Sequence, residues 1–190
     1  MFEKKILDNN LEGKGIFHGE IRPPLESDLA ALRPILESWI RDRKTKELLS
    51  HEVENVLEAV RRSLTDESSQ TRYLIAEEDQ KILGMIGIRP LLDERIKFYA
   101  KTKNPAEGIN AYVDSSNRAG RGVGRALGVK LEEFARTLGY EEIILNSGPR
   151  YKETAWGFYN KLLGEPVGVI KNMYGEGGDA PVWRKVLESK

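Results

Sequence analysis

Asn117-Arg118-Ala119-Gly120-Arg121-Gly122-Val123-Gly124-Arg125-Ala126-Leu127 follows a strand-like run, Glu107–Asp114, and opens a segment of helical period. In that segment Val123, Leu127, Leu131, Phe134 and Leu138 fall on one face before Gly139, a residue suited to a helix C-terminal cap. Glycines between a strand and a helix let the backbone approach a ligand and turn successive N–H groups inward, and the helix start adds about half a positive charge. With Arg118, Arg121 and Arg125 around Gly120, Gly122 and Gly124, the turn reads as a seat for a phosphate or pyrophosphate. The plainer alternative is a tight turn with solvated arginines.

Two common phosphate motifs do not fit. The pattern G-x-x-x-x-G-K-[ST] is absent, which disfavours a standard nucleoside-triphosphate hydrolase. The dinucleotide fingerprint G-x-G-x-x-G also fails, because counting from Gly120 ends on Arg125 and from Gly122 on Leu127.

Working outward, Ile16–Arg22 reads as a first strand stopped by Pro23-Pro24. Ser27 or Asp28 then caps a helix with Leu29, Leu32, Leu36, Trp39 and Ile40 on its apolar face, and Trp39 reads as core. Ser50 opens a second helix carrying Val53, Val56, Leu57, Val60 and Leu64. Thr71–Glu77 and Lys81–Arg89 form a hairpin, whose second strand is apolar on both faces as a covered central strand should be. The charged stretch Leu91–Asn104 reads as an excursion with a short strand around Lys97–Ala100. Beyond the long helix come a strand, Glu141–Asn146, a helix, Tyr151–Leu163, and two strands at 166–172 and 180–187 around the loop Tyr174–Asp179. The order β-α-α-β-β-β-α-β-α-β-β, with no repeat or linker, predicts one α/β (α+β) domain with a mixed sheet over 15–190, preceded by a polar lead-in, 1–14.

Composition narrows the chemistry. The 190 residues carry 30 basic and 30 acidic side chains, which argues against a generic nucleic-acid or membrane-surface binder. Residues 1–95 hold 15 basic and 19 acidic groups, leaving 15 and 11 for 96–190, so the second half is the side for an anionic ligand. No cysteine is present, which removes disulfides, thiol nucleophiles and thiolate metal sites, and the two histidines, His18 and His51, lack partners for a metal centre or a Ser-His-Asp triad. The start, Met-Phe-Glu-Lys-Lys-Ile-Leu-Asp, lacks the apolar core of a signal peptide, and there is no long apolar run. These features predict a cytoplasmic protein that needs no metal.

Arg121-Gly122-Val123-Gly124-Arg125-Ala126-Leu127, preceded by Tyr112-Val113-Asp114 and followed by Leu145-Asn146 and Phe158-Tyr159-Asn160-Lys161-Leu162-Leu163-Gly164, resembles the GNAT superfamily of acyl-CoA-dependent N-acetyltransferases. The resemblance covers roughly residues 16–188 and implies a GNAT-like mixed, mostly antiparallel central sheet with helices on both faces. The family pattern [QR]-x-x-G-x-[GA] would place its first residue on Ala119; Arg118 stands one place early, so either Arg118 or Arg121 supplies the charge. By resemblance, acetyl-CoA lies in a V between the fourth and fifth strands. Its pantetheine pairs with backbone groups of Ala111 and Val113, and its pyrophosphate rests on the amides of Arg121, Gly122, Val123, Gly124 and Arg125.

The same resemblance implies that an N–H near Ala111 or Tyr112 polarises the thioester carbonyl, that Asn146 hydrogen-bonds the cofactor, and that Tyr159 is the acid. Glu107 stands where members often carry the base. Its alternative is a surface strand-end glutamate, and that of Tyr159 is packing. The acceptor side falls on the vicinity of Pro24–Trp39, Phe98–Asn104 and Tyr174–Asp179.

The leading function is therefore transfer of an acetyl group from acetyl-CoA to a primary amine of a small molecule or peptide. The lack of a thiol favours direct attack in a ternary complex. The rival is a non-catalytic acyl-CoA-binding regulatory module, and a nucleotide enzyme is a third reading. Exposed edge strands would suit a homodimer.

Overall fold

The computed structural model describes residues 16–117 and 122–188. Its strands are β1 (Glu20–Arg22), β2 (Arg72–Glu78), β3 (Lys81–Pro90), β4 (Pro105–Val113), β5 (Glu142–Asn146), β6 (Gly168–Ile170) and β7 (Ala180–Val186). Its helices are α1 (Leu29–Trp39), α2 (Ser50–Thr65), α3 (Glu94–Lys97), α4 (Val123–Thr137) and α5 (Gly157–Leu163). The strands form one sheet in the order β1-β2-β3-β4-β5-β7-β6. Every neighbouring pair is antiparallel except β4 and β5, which run parallel.

Strand alternation sorts apolar side chains to two faces. Tyr73, Ile75 and Met85 meet Leu32, Leu36, Val53 and Leu57 of α1 and α2. On the opposite face Leu74, Ala76, Ile86 and Ile88 meet Val123, Leu127 and Leu131 of α4. A smaller cluster, Leu91, Ile96, Ile144, Ile170 and Val182, packs under the excursion. The mixed sheet is thus the one expected from the element order, and its mostly antiparallel pairing with helices on both faces is the architecture that the resemblance implies.

Local departures have local causes. The first strand is only three residues, not Ile16–Arg22. The strand expected around Lys97–Ala100 is instead the end of a short helix, because the Asp93 carboxylate accepts the Arg95 N–H and caps α3. β4 begins at Pro105 rather than Glu107, with proline at the strand's first position. The segment expected to be helical from Tyr151 starts as one tight turn over Pro149–Tyr151 and one wide turn over Lys152–Trp156 before α5. The lead-in, 1–14, lies outside the described residues.

One end of the β4–β5 pair is firmly closed. Glu142, wholly buried, accepts the backbone N–H groups of Lys101 and Thr102 at 2.9 and 3.0 Å and the Thr102 hydroxyl at 3.1 Å, all on Oε2. Arg184 Nε lies 3.3 Å from its Oε1, and Arg184 also donates to the Tyr99 carbonyl at 2.6 Å. The excursion before β4 is thereby fixed to the sheet.

Candidate active site

The other end is open. β4 and β5 pair only over Pro105–Glu107 and Glu142–Ile144. Beyond Glu107, β4 contains an extra residue relative to β3, between the pairs Gly87–Ile109 and Met85–Tyr112, and Asn110 there has φ 50°. Such a bulge bends and twists a strand away from its neighbour. Asn110 is held by its side-chain amide, which donates to the Tyr73 hydroxyl at 3.0 Å. After the bulge the Asp114 N–H donates to the Leu83 carbonyl at 2.8 Å. The antiparallel alternation then turns the backbone groups of Tyr112 toward β3 and those of Val113 toward the gap. The Val113 carbonyl accepts the Trp39 indole N–H at 2.7 Å, and Ala111 is exposed at the bulge.

The gap runs toward the start of α4. Gly122 caps that helix at φ 72° and ψ 1°, a left-handed conformation that costs other residues about 1–2 kcal/mol. The first helical bond is Ala126 N–H to Gly122 carbonyl, 2.9 Å, so the N–H groups of Val123, Gly124 and Arg125 have no acceptor within the helix. Val123 is buried and Arg125 exposed. Gly124 has a different role: a Cβ there would lie 3.3 Å from Phe158 Cζ, so its missing side chain lets α5 pack beside α4. Arg118 and Arg121, with Ala119 and Gly120, lie outside the described residues.

Glu107 is not a surface strand-end residue. It is 5% exposed; Arg89 Nε donates to its Oε2 at 2.8 Å, and Arg89 Nη2 lies 2.8 Å from the same oxygen as an ion pair. Tyr159 is half-buried; its ring lies 5.2 Å from that of Trp183 and 5.6 Å from that of Phe158. Burial, with the nearby oxygens of Tyr151 and Tyr174, pushes its hydroxyl pKa up to about 12. Its ring is therefore packed, as the alternative reading of this residue has it. Asn146, at the end of β5, accepts the Tyr174 hydroxyl on Oδ1 at 2.5 Å. Burial, and next the Glu107 charge, push the Tyr174 pKa up to about 12, so the last hairpin loop reaches the open end of the strand pair.

Sequence reasoning passed over three residues here. Tyr151 places its hydroxyl 3.4 Å from that of Tyr112, joining β4 to the turn after β5. Arg150 makes a two-pronged bond to Glu52 of α2, at 2.7 and 3.1 Å. Neither partnership has a sequence signature, since the paired residues lie far apart in the chain. Trp39, read as core, is only partly buried because its indole N–H turns to the strand edge.

Residues 33–164, spanning α1 to α5, match the model of the acetyltransferase (GNAT) family. The chain belongs to that family. The human N-acetyltransferase 8 is 32% identical over 76 residues, 40% of this GNAT chain and 31% of the relative. The human N-acetyltransferase 8B is 28% identical over 90 residues, 47% of this chain and 37% of the relative. The GNAT chain thus matches about a third of the length of these curated relatives. Among solved structures, the PaiA N-acetyltransferase of Thermoplasma acidophilum, in complex with coenzyme A, superposes with a TM-score of 0.59 at 20% identity, over 88% of this chain and 98% of that one. The likeness to that structure concerns the fold. Acetyl-CoA or CoA is the ligand typical of GNAT proteins. No described helix is long and apolar enough to cross a membrane.

Proposed function

We infer that this GNAT protein moves an acetyl group from acetyl-CoA to a primary amine by direct attack in a ternary complex. The observation that carries the reading is the gap left where β4 and β5 stop pairing after Glu107 and Ile144, with Val113 backbone groups facing it and the first-turn amides of α4 at its end. That shape and donor set fit an extended pantetheine arm ending in a pyrophosphate. Val113 and Ala111 would hold the arm, and the N–H groups of Val123, Gly124 and Arg125 the phosphates, with Arg118 or Arg121 adding charge. Asn146 would reach the arm from β5 once Tyr174 shares or yields its Oδ1.

When bound, acetyl-CoA supplies an acyl carbon that gains a C–N bond as its C–S bond breaks, the bonding pair leaving on sulfur. An alkylammonium has a pKa of about 10.4 and must lose a proton before its nitrogen has a lone pair to give. Glu107 is assigned that proton, directly or through one water. Both Arg89 contacts, the Nε hydrogen bond and the Nη2 ion pair, end on Oε2, which leaves Oε1 for this task. Tyr159, with its pKa near 12, stays protonated and has a proton to offer the departing sulfur, and the second proton that the acylated nitrogen sheds restores it through solvent. Because the backbone of Tyr112 faces β3, the assignment of the donor to the thioester carbonyl narrows to Ala111.

The test is a thermal-shift titration with CoA and acetyl-CoA, followed by CoA-thiol release with a panel of amines. Cofactor at about 100 times its dissociation constant should add about 2.7 kcal/mol of stability. No shift with either ligand would overturn the cofactor assignment. A shift without turnover on any amine would identify a regulatory acyl-CoA-binding module instead.

A further inference from the structure

On the α1–α2 side of the gap, side chains rather than backbone hydrogen bonds join the parted strands. The rings of Tyr112 and Tyr151 lie 6.3 Å apart at 70°, with their hydroxyls 3.4 Å apart. Trp39, the last residue of α1, adds a third ring 6.4 Å from Tyr151 and is anchored on the Val113 carbonyl at 2.7 Å. Three rings from three separate elements thus make one continuous wall. These separations are those of rings packed against one another, so the wall offers a surface rather than a closed cage.

Behind the wall stands the Arg150–Glu52 pair. The Arg150 guanidinium lies 5.8 Å from the Tyr151 ring centre and grips Glu52 through both terminal nitrogens, across 98 positions of sequence. Its side chains are 27% and 48% exposed, and pairs so open contribute little to stability. Its geometric consequence is larger, because it ties the segment bearing Tyr151 to the first turn of α2. The pair also neutralises the Glu52 carboxylate, as Arg89 does that of Glu107. A polycationic acceptor would find one oxygen of Glu107 held by Arg89 and both oxygens of Glu52 held by Arg150, whereas a flat apolar group would find three ring surfaces.

We propose that the acceptor is a monoamine bearing an aromatic ring within a few atoms of its nitrogen, received against Trp39, Tyr112 and Tyr151, and that Glu52–Arg150 is the positioning pair that holds this wall. The proposal rests on the reading of the protein as an amine acetyltransferase. The transfer is the one described above: one ammonium proton passes to Glu107, the C–N bond forms as the C–S bond breaks, sulfur takes the Tyr159 proton, and the acylated nitrogen gives up its second proton, which restores Tyr159 through solvent.

The test compares phenethylamine, hexylamine and spermidine as acceptors at saturating acetyl-CoA. Hexylamine is comparably apolar but has no ring, and spermidine carries several charges. The expected kcat/KM for phenethylamine exceeds each of the others by about tenfold. Glu52→Arg and Arg150→Glu should each raise the phenethylamine KM about fivefold, leave the acetyl-CoA KM in place, and recover when combined. Hexylamine or spermidine turned over as well as phenethylamine would overturn the substrate class alone. Single variants that leave the phenethylamine KM unchanged, or a combined variant that fails to recover it, would overturn the positioning role. Absence of turnover on every amine, with the acetyl-CoA thermal shift intact, would remove the transferase reading and this inference with it.

Discussion

The two ends of the β4–β5 pair are built on opposite principles although only a few residues separate them. At the closed end Glu142 is wholly buried, with three donors on Oε2 and Arg184 beside Oε1, and the strands are joined by backbone hydrogen bonds. At the open end Asn110 adds a residue, the backbones separate, and Glu107, Asn146 and the hydroxyls of Tyr112, Tyr151 and Tyr174 occupy the space. A sheet that stayed paired throughout would satisfy every backbone group with its own and leave none for a ligand. The difference assigns stability to one end and leaves the other to the acetyl-CoA proposed above.

Removing Glu142 should break that division most severely. Glu142→Ala would leave Arg184 facing a vacated buried site and two N–H groups without their acceptor. The expected loss is about 3–5 kcal/mol, read from urea unfolding. Folded Glu142→Ala at low temperature should still show the acetyl-CoA thermal shift. A loss of the shift without a loss of stability would mean that the two ends are not separable.

The second-largest effect should come from the open end and have the opposite signature. Tyr159→Phe keeps the ring against Trp183 and Phe158 but deletes the hydroxyl. The expected outcome is about a hundredfold fall in kcat, with unfolding free energy changed by less than about 1 kcal/mol. An unchanged kcat would reduce Tyr159 to a packing residue.

How far these two ends could be read from sequence differs, and for physical reasons. The elements around Gly122 were legible because the 3.6-residue period of Val123, Leu127 and Leu131 and the glycine before it are local properties. The mixed, mostly antiparallel sheet followed from the resemblance that the turn and its neighbouring motifs carry, whereas the order of strands within it is a finding of the structure. The burial of Glu107 was not legible, because it depends on Arg89, a cross-strand partner 18 residues away whose register no local pattern specifies. Nor was the aromatic wall, since Trp39 fits a helical core stripe as well as it fits a strand edge. The α3 turn was misread as a strand because a four-residue segment is too short for either period to show.

Gly122 provides a smaller and mixed effect. Gly122→Ala forces a Cβ into a left-handed backbone at φ 72°, with an expected cost of about 1–2 kcal/mol. If the amides beyond it hold phosphate, the same change should also raise the acetyl-CoA dissociation constant, by about tenfold, measured by calorimetry. Gly124→Ala sharpens the assignment. Its Cβ would meet Phe158 at 3.3 Å, so it should disturb α4–α5 packing and affect stability more than affinity. Equal affinity losses at both positions would indicate that Gly124 also lies under the ligand.

The smallest effect is a pH dependence confined to the alkaline side. Burial raises the pKa of Tyr112 well above its ordinary value and those of Tyr159 and Tyr174 to about 12, with neighbouring tyrosines adding to each shift. An unfolded chain releases these protons near pH 10, so between about 10 and 12 the native state holds more protons than the unfolded one. Stability contributed by the protonated hydroxyls is then fully present below about pH 10 and is lost as pH rises toward 12. Tyr174 is largely open at its surface, so solvent screening reduces its share and Tyr159 should contribute more. Urea midpoints measured across this window should therefore fall less steeply for Tyr159→Phe than for the wild type. Identical slopes would mean that the Tyr159 hydroxyl is not buried among its neighbours. That result would also remove the reason for proposing it as a proton donor, because an ordinary solvated tyrosine would titrate near 10.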